Sequence, residues 1–133
     1  MKRILFAACL IILLLAGCGQ KDMVTITAEP DSYSPLMSSV QGITMTPNFE
    51  TYKSYENIVF HWKTSVGEFI GAGKEVINQG EPVTWSAVED GKEVGIDEPI
   101  TINLAVIDSD NEVILTFNSL TIIPENGYFK VGK

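Results

Sequence analysis

The sequence predicts an all-β fold, an antiparallel two-sheet sandwich. Three observations carry this expectation. Apolar and polar residues alternate over several short stretches, the period of a strand with one buried face. Gly and Pro stand between those stretches as punctuation, which suits strands joined by turns. Beyond the first 17 residues, no stretch keeps a helical period over ten residues. About seven short strands in one small domain favour two sheets packed face to face.

Val24, Ile26 and Ala28 alternate with Thr25 and Thr27. Pro30 ends that strand, because proline has no N–H for the ladder. Residues 31–39 are turn-rich, and Ile43, Met45 and Pro47 then alternate with Thr44 and Thr46. The clearest strand is 57–64, with Ile58, Phe60 and Trp62 on one face and Val59, His61 and Lys63 on the other. Residues 65–73 form a loop with a candidate short strand at Phe69 and Ile70. Residues 82–87 put Val83, Trp85 and Ala87 on one face, and the acidic, glycine-bearing segment 89–98 reads as a solvated loop. Ile100, Ile102, Leu104 and Val106 alternate with Thr101, Asn103 and Ala105. Residues 108–112 (DSDNE) are a hairpin turn, and 113–123 return from it. The alternation of that return changes phase near Asn118 and Ser119, which predicts a bulge there. Residues 127–131 add a final edge strand.

Residues 1–17 read as a secretory leader. Lys2 and Arg3 give a cationic start, and 4–15 is almost wholly apolar, which suits a signal-peptide helix. A spanning helix needs about 20 apolar residues at ~1.5 Å of rise each, so this run is too short. The residues Leu15, Ala16, Gly17 and Cys18 resemble a bacterial lipobox at each position: aliphatic, small, small, cysteine. The resemblance implies cleavage between Gly17 and Cys18, a diacylglycerol thioether on the Cys18 sulfur and an acyl group on the new amine. Each buried methylene contributes ~0.8 kcal/mol, so one chain binds marginally and two or three hold firmly. The implied protein is a lipoprotein anchored on the outer side of a bacterial membrane. Residues 18–22 are then a polar tether spanning at most about 17 Å, and 23–133 form the sandwich domain. The alternative is a plain secretory signal that leaves Cys18 as a free thiol.

Two segments resemble bacterial immunoglobulin-like and PKD-like domains. FHWKTSVGEF (60–69) is similar to their strand-and-loop signature, where a core aromatic precedes a polar turn and a glycine. ITINLAVIDSDNEVI (100–114) is similar to their late hairpin. The resemblance implies an Ig-like sandwich and no particular ligand. Neither a Cys…Trp…Cys core bridge nor a Gly-Asp-Gly turn is present.

Charge and cysteine usage exclude several functions. Two of the 9 basic residues, Lys2 and Arg3, lie in the leader, which leaves seven lysines against 17 carboxylates and a net charge of about −10. A mature chain without arginine lacks the planar fork that grips phosphate, and its acidity argues against nucleic acid as a partner. The 2 cysteines are Cys9, in the leader, and Cys18. No disulfide, thiolate metal site or cysteine nucleophile follows from that count, and packing alone must hold the fold.

Candidate sites are few. Trp62 and Trp85 lie on apolar faces and read as core. His61, the sole histidine, has no second His or Cys with which to bind metal. Asp108, Asp110 and Glu112 alternate as the first ligands of a calcium loop do. Val113 stands where that loop needs glycine, and Ser119 where it needs a bidentate glutamate; a hairpin turn explains the string without metal. Glu89, Asp90, Glu93, Asp97 and Glu98 form a second acidic cluster, read as solvated. No catalytic motif occurs, so no enzyme and no cofactor is expected beyond the lipid on Cys18. The expected function is a non-catalytic binding or accessory module of the cell envelope, contacting another envelope protein or a polymer. Its contact loops would be 65–73 and 89–98, with Ser65, Glu68, Glu89, Asp90 and Glu93 as candidate binding residues. The alternatives are a protease inhibitor presenting a loop, by fold-level analogy, and a calcium-dependent surface domain.

Overall fold

In the computed structural model, which describes residues 21–132, every regular element is a strand. The expected leader helix, the lipobox and Cys18 lie outside the described residues. The strands are β1 (Met23–Glu29), β2 (Ser32–Tyr33), β3 (Ile43–Glu50), β4 (Ile58–Thr64), β5 (Glu68–Phe69) and β6 (Glu75–Asn78). They continue as β7 (Val83–Ser86), β8 (Val88–Glu89), β9 (Lys92–Glu93), β10 (Ile100–Asp108), β11 (Val113–Glu125) and β12 (Tyr128–Val131). One sheet has the order β1-β3-β7-β5 and the other β2-β12-β11-β10-β4-β6, while β8 and β9 form a small hairpin of their own. All pairings are antiparallel. With β1, β3 and β7 as strands A, B and E, and β4, β10 and β11 as C, F and G, the two sheets keep the strand plan of an immunoglobulin sandwich.

The alternating stretches form the core because each puts every second side chain between the sheets. In β10, Ile100, Ile102, Leu104 and Val106 are buried while Thr101 and Asn103 are exposed. Phe60 and Trp62 of β4 face them from the same sheet, and Val24, Ile43, Met45, Val83 and Trp85 close the core from the other. Both tryptophans are fully buried, as their faces predict. Their indole nitrogens differ. Trp85 Nε1 donates to the Val66 carbonyl at 2.8 Å, whereas Trp62 Nε1 has no hydrogen-bond partner among the described residues.

Several expectations are corrected. The register of β11 is continuous through Asn118 and Ser119. The bulge lies earlier: Val106 opposes Thr116 and Ile107 opposes Ile114, so Leu115 is the extra residue. Beyond it Phe117 points outward, 75% exposed, and Asn118 turns in, its Nδ2 donating to the Val24 carbonyl at 2.9 Å. That bond ties β11 to β1 across the seam between the sheets. The short strand after β4 is Glu68–Phe69 rather than Phe69 and Ile70, and Ile70 is exposed. A strand not expected from the sequence, β6, pairs with β4 at the sheet edge. β12 is not an edge, because β2 pairs outside it. The chain reaches β2 by leaving the first sheet at Pro30, after the cis Glu29–Pro30 peptide. Tyr33 of β2, within the stretch read as turns, is buried against Trp85 and Phe129.

The pairing registers give the sandwich two poles. β1 enters at Met23, beside Glu50 of β3. The same pole holds the 51–57 connection and the 109–112 turn, where Ser109 N donates to the Asn57 carbonyl at 2.9 Å. The opposite pole, about 20 Å away along seven-residue strands at ~3.3 Å per residue, gathers 30–42, 65–74, 87–99 and the 126–127 turn.

Candidate functional site

The two loops expected to carry binding, 65–73 and 89–98, meet at the second pole. Gly67 starts the meeting. Its φ is +78°, a left-handed conformation that costs an L side chain strain. A Cβ there would also sit 2.4 Å from the Ser86 carbonyl oxygen and 2.7 Å from the Trp85 ring. The loop therefore lies flat on Trp85, with the Val66 carbonyl capping the indole N–H. Gly67 N donates to Glu89 Oε2 at 2.8 Å. Lys74 donates to that same carboxylate oxygen and to the Gly67 and Ser65 carbonyls at 3.2 and 3.3 Å. The Lys74 ammonium first, and then the Gly67 N–H, hold the Glu89 carboxyl below its ordinary pKa.

Segment 89–98 is thus not simply solvated. Glu89 closes β8 onto the neighbouring loop, β8 pairs with β9 across a turn at Asp90 (φ 53°), and Val94 and Ile96 are half-buried against the core. Ser65, Lys74, Glu89 and Glu93 line one shallow groove of about 510 Å³. Glu68 of β5 and Asp90 lie outside it. Asp97 and Glu98 are exposed, as the acidic reading expects.

Residues 34–41, which the sequence pattern marks only as turn, line two hollows at this pole. Leu36 and Met37 are 80% and 73% exposed. On one side of this turn lies a cleft of about 450 Å³, floored by Leu36, Met37, Val94, Ile96, Pro124 and Tyr128 and rimmed by Glu93, Asp97 and Glu125. On the other side a hollow of about 410 Å³ runs between Val40 and Ile70. Tyr33 lines this second hollow: its hydroxyl oxygen accepts from Ala87 N at 2.6 Å and lies 3.3 Å from Ser86 Oγ. The only sequence signal for this site was an apolar pair, Leu36–Met37, inside a serine-rich turn.

The remaining candidates lie elsewhere. Asp108, Asp110 and Glu112 sit at the first pole. Asp108 is buried, and its two oxygens accept from Asp110 N (3.1 Å) and Asn111 Nδ2 (2.8 Å). Asp110 is engaged by Asn57 Nδ2 at 2.9 Å, and Glu112 is exposed at φ 56°. Among the described residues no group of three His, Cys, Asp or Glu side chains is placed to hold a metal ion. His61 is half-buried on the outer face of β4 and pairs with Glu75 of β6. Asp22, the last residue of the expected tether, belongs to the domain: it accepts from the Tyr55 hydroxyl at 2.8 Å and from the Thr51 hydroxyl. The Asp22 carboxylate, by accepting that bond, raises the pKa of Tyr55.

No helix among the described residues is long and apolar enough to cross a membrane. No protein-family model matches the chain, and no curated protein or solved structure matches it either.

Proposed function

We propose that the chain is an extracytoplasmic lipoprotein, anchored to a bacterial membrane through Cys18, and that it serves as a non-catalytic binding module of the cell envelope. The partner is engaged by the pole that bears the 34–41 turn and the 65–73 and 89–98 loops. One observation carries the reading: Asp22 is fastened at the first pole, so a tether from Cys18 would leave the domain opposite its apolar clefts. A lipid there would seat the first pole near the bilayer and present the clefts outward. A rigid sandwich carrying exposed loops at one end is a common arrangement for recognition.

Leu36 and Met37, exposed at a turn tip, favour a second reading, in which the partner is a protease inhibited by that loop. Two experiments test the proposal. Cys18→Ser should abolish lipid mass and membrane fractionation; unchanged mass and fractionation would remove the anchor. A photo-crosslinking residue at position 36 should give a discrete adduct in intact cells, and one at position 111 none. Adducts from neither position, or equally from both, would remove the binding pole. Identifying the adduct as an exported protease would select the inhibitor reading.

A further inference from the structure

The outer face of the larger sheet carries an apolar surface that the proposed binding pole does not use. Strand register puts Ile77, His61, Ala105 and Phe117 in one row across β6, β4, β10 and β11. Val59, Ile107 and Ile114 form the row beside it. Phe117, Ile77 and Ile114 are 75%, 61% and 59% exposed. Isolated apolar side chains on a surface are ordinary, but a contiguous patch marks an interface.

Charge separates the candidate occupants. The chain has 17 carboxylates, and the strand segments 59–63, 75–78, 101–107 and 114–119 hold a single one, Glu75. Glu75 pairs with His61 and opposes Lys63 in the register. A second copy is the partner that most requires this arrangement, because two strongly acidic chains repel wherever their carboxylates meet. This face lets two copies touch while their acidic loops stay at the poles. Its size also fits. Four strands at ~4.8 Å and six residues at ~3.4 Å give a footprint of about 19 by 20 Å. With side-chain relief this offers about 600 Å² per copy, the lower end of a specific dimer interface at about 1,200 Å² in total. We infer that two copies of this chain associate through the outer face of β6, β4, β10 and β11, with Phe117 and Ile77 as the central contacts. The contact is isologous, as the commonest homodimers are.

The test is sedimentation equilibrium of the full chain in excess density-matched detergent micelles, from 1 µM to 1 mM. An interface of this size predicts a monomer–dimer equilibrium within that range. Phe117→Glu and Ile77→Glu, at exposed positions that leave the core intact, should each weaken association at least tenfold. Leu36→Glu, equally exposed but at the second pole, should leave it unchanged. A wild-type chain that stays monomeric to 1 mM overturns the inference and frees the face for a different partner. Association that Leu36→Glu disrupts and Phe117→Glu spares overturns it as well.

Discussion

The two tryptophans form a matched pair for measuring one buried hydrogen bond. Both are fully buried in the same core. Replacing either with phenylalanine removes about 40 Å³, and at ~24 cal/mol per Å³ that cavity costs about 1 kcal/mol. Trp85→Phe also loses the bond to the Val66 carbonyl, worth about 1 kcal/mol more. The carbonyl itself is not orphaned, because the Thr64 hydroxyl still donates to it at 2.7 Å. Trp62→Phe removes an N–H that has no partner. Burying such a group costs about 1–3 kcal/mol, so its removal offsets the cavity. Trp85→Phe should therefore cost about 2 kcal/mol and Trp62→Phe close to zero. Guanidinium unfolding measures both, with the remaining tryptophan of each variant as reporter and an unchanged slope as the check on two-state behaviour. If Trp62→Phe destabilises as much as Trp85→Phe, satisfaction of the indole N–H does not set the difference and the reasoning fails.

Gly67→Ala must place a Cβ at positive φ against the Ser86 carbonyl and the Trp85 ring. Strain and overpacking together should cost about 3 kcal/mol; a change in melting temperature of under two degrees would mean the loop yields freely. Glu89 has a folded pKa below its ordinary 4.5. Its contribution is therefore fully present above that unfolded value and is lost as pH falls through the lower folded one. The difference in melting temperature between wild type and Glu89→Gln should be constant from pH 7 to about 5 and shrink toward pH 3; a constant difference down to pH 3 would contradict the assignment. Tyr33→Phe leaves the Ala87 N–H buried without its acceptor and should cost about 1–3 kcal/mol in chemical unfolding. An unchanged midpoint would show that water replaces the hydroxyl.

The strands most legible in the sequence were those whose two faces meet different surroundings. Ile100 to Val106 alternate because β10 is buried on one side and open on the other, and the 58–63 stretch follows the same logic. Legibility failed where that contrast weakens. In β6, Ile77 is apolar but points outward, while its neighbours Val76 and Asn78 are only half-buried, so no clean period appears. Phe117 misplaced the bulge for the same reason: an apolar ring on the open face looks like a core residue until the register at Leu115 is known. The contacts of Tyr33 and Glu89 were hidden differently. Each is fixed by partners far along the chain, Ala87 and Lys74, and local pattern carries no information about such pairings. Of the candidate site, the two loops were legible from their turn residues and acidity. The contact between them was not, because it rests on one carboxylate, one ammonium and a glycine N–H that only the folded chain brings together.

Leu115 sets the side-chain phase of everything after it in β11. Were the strand to pair without the bulge, Leu115 taking the place opposite Val106, inside and outside would be exchanged for the rest of the strand. Phenylalanine would be driven into the seam where Asn118 now clips β1, and the amide would be stranded in water. A single surplus residue thus decides both whether the two layers are stitched together and whether an aromatic ring is displayed to the surroundings, so neither property can change without the other.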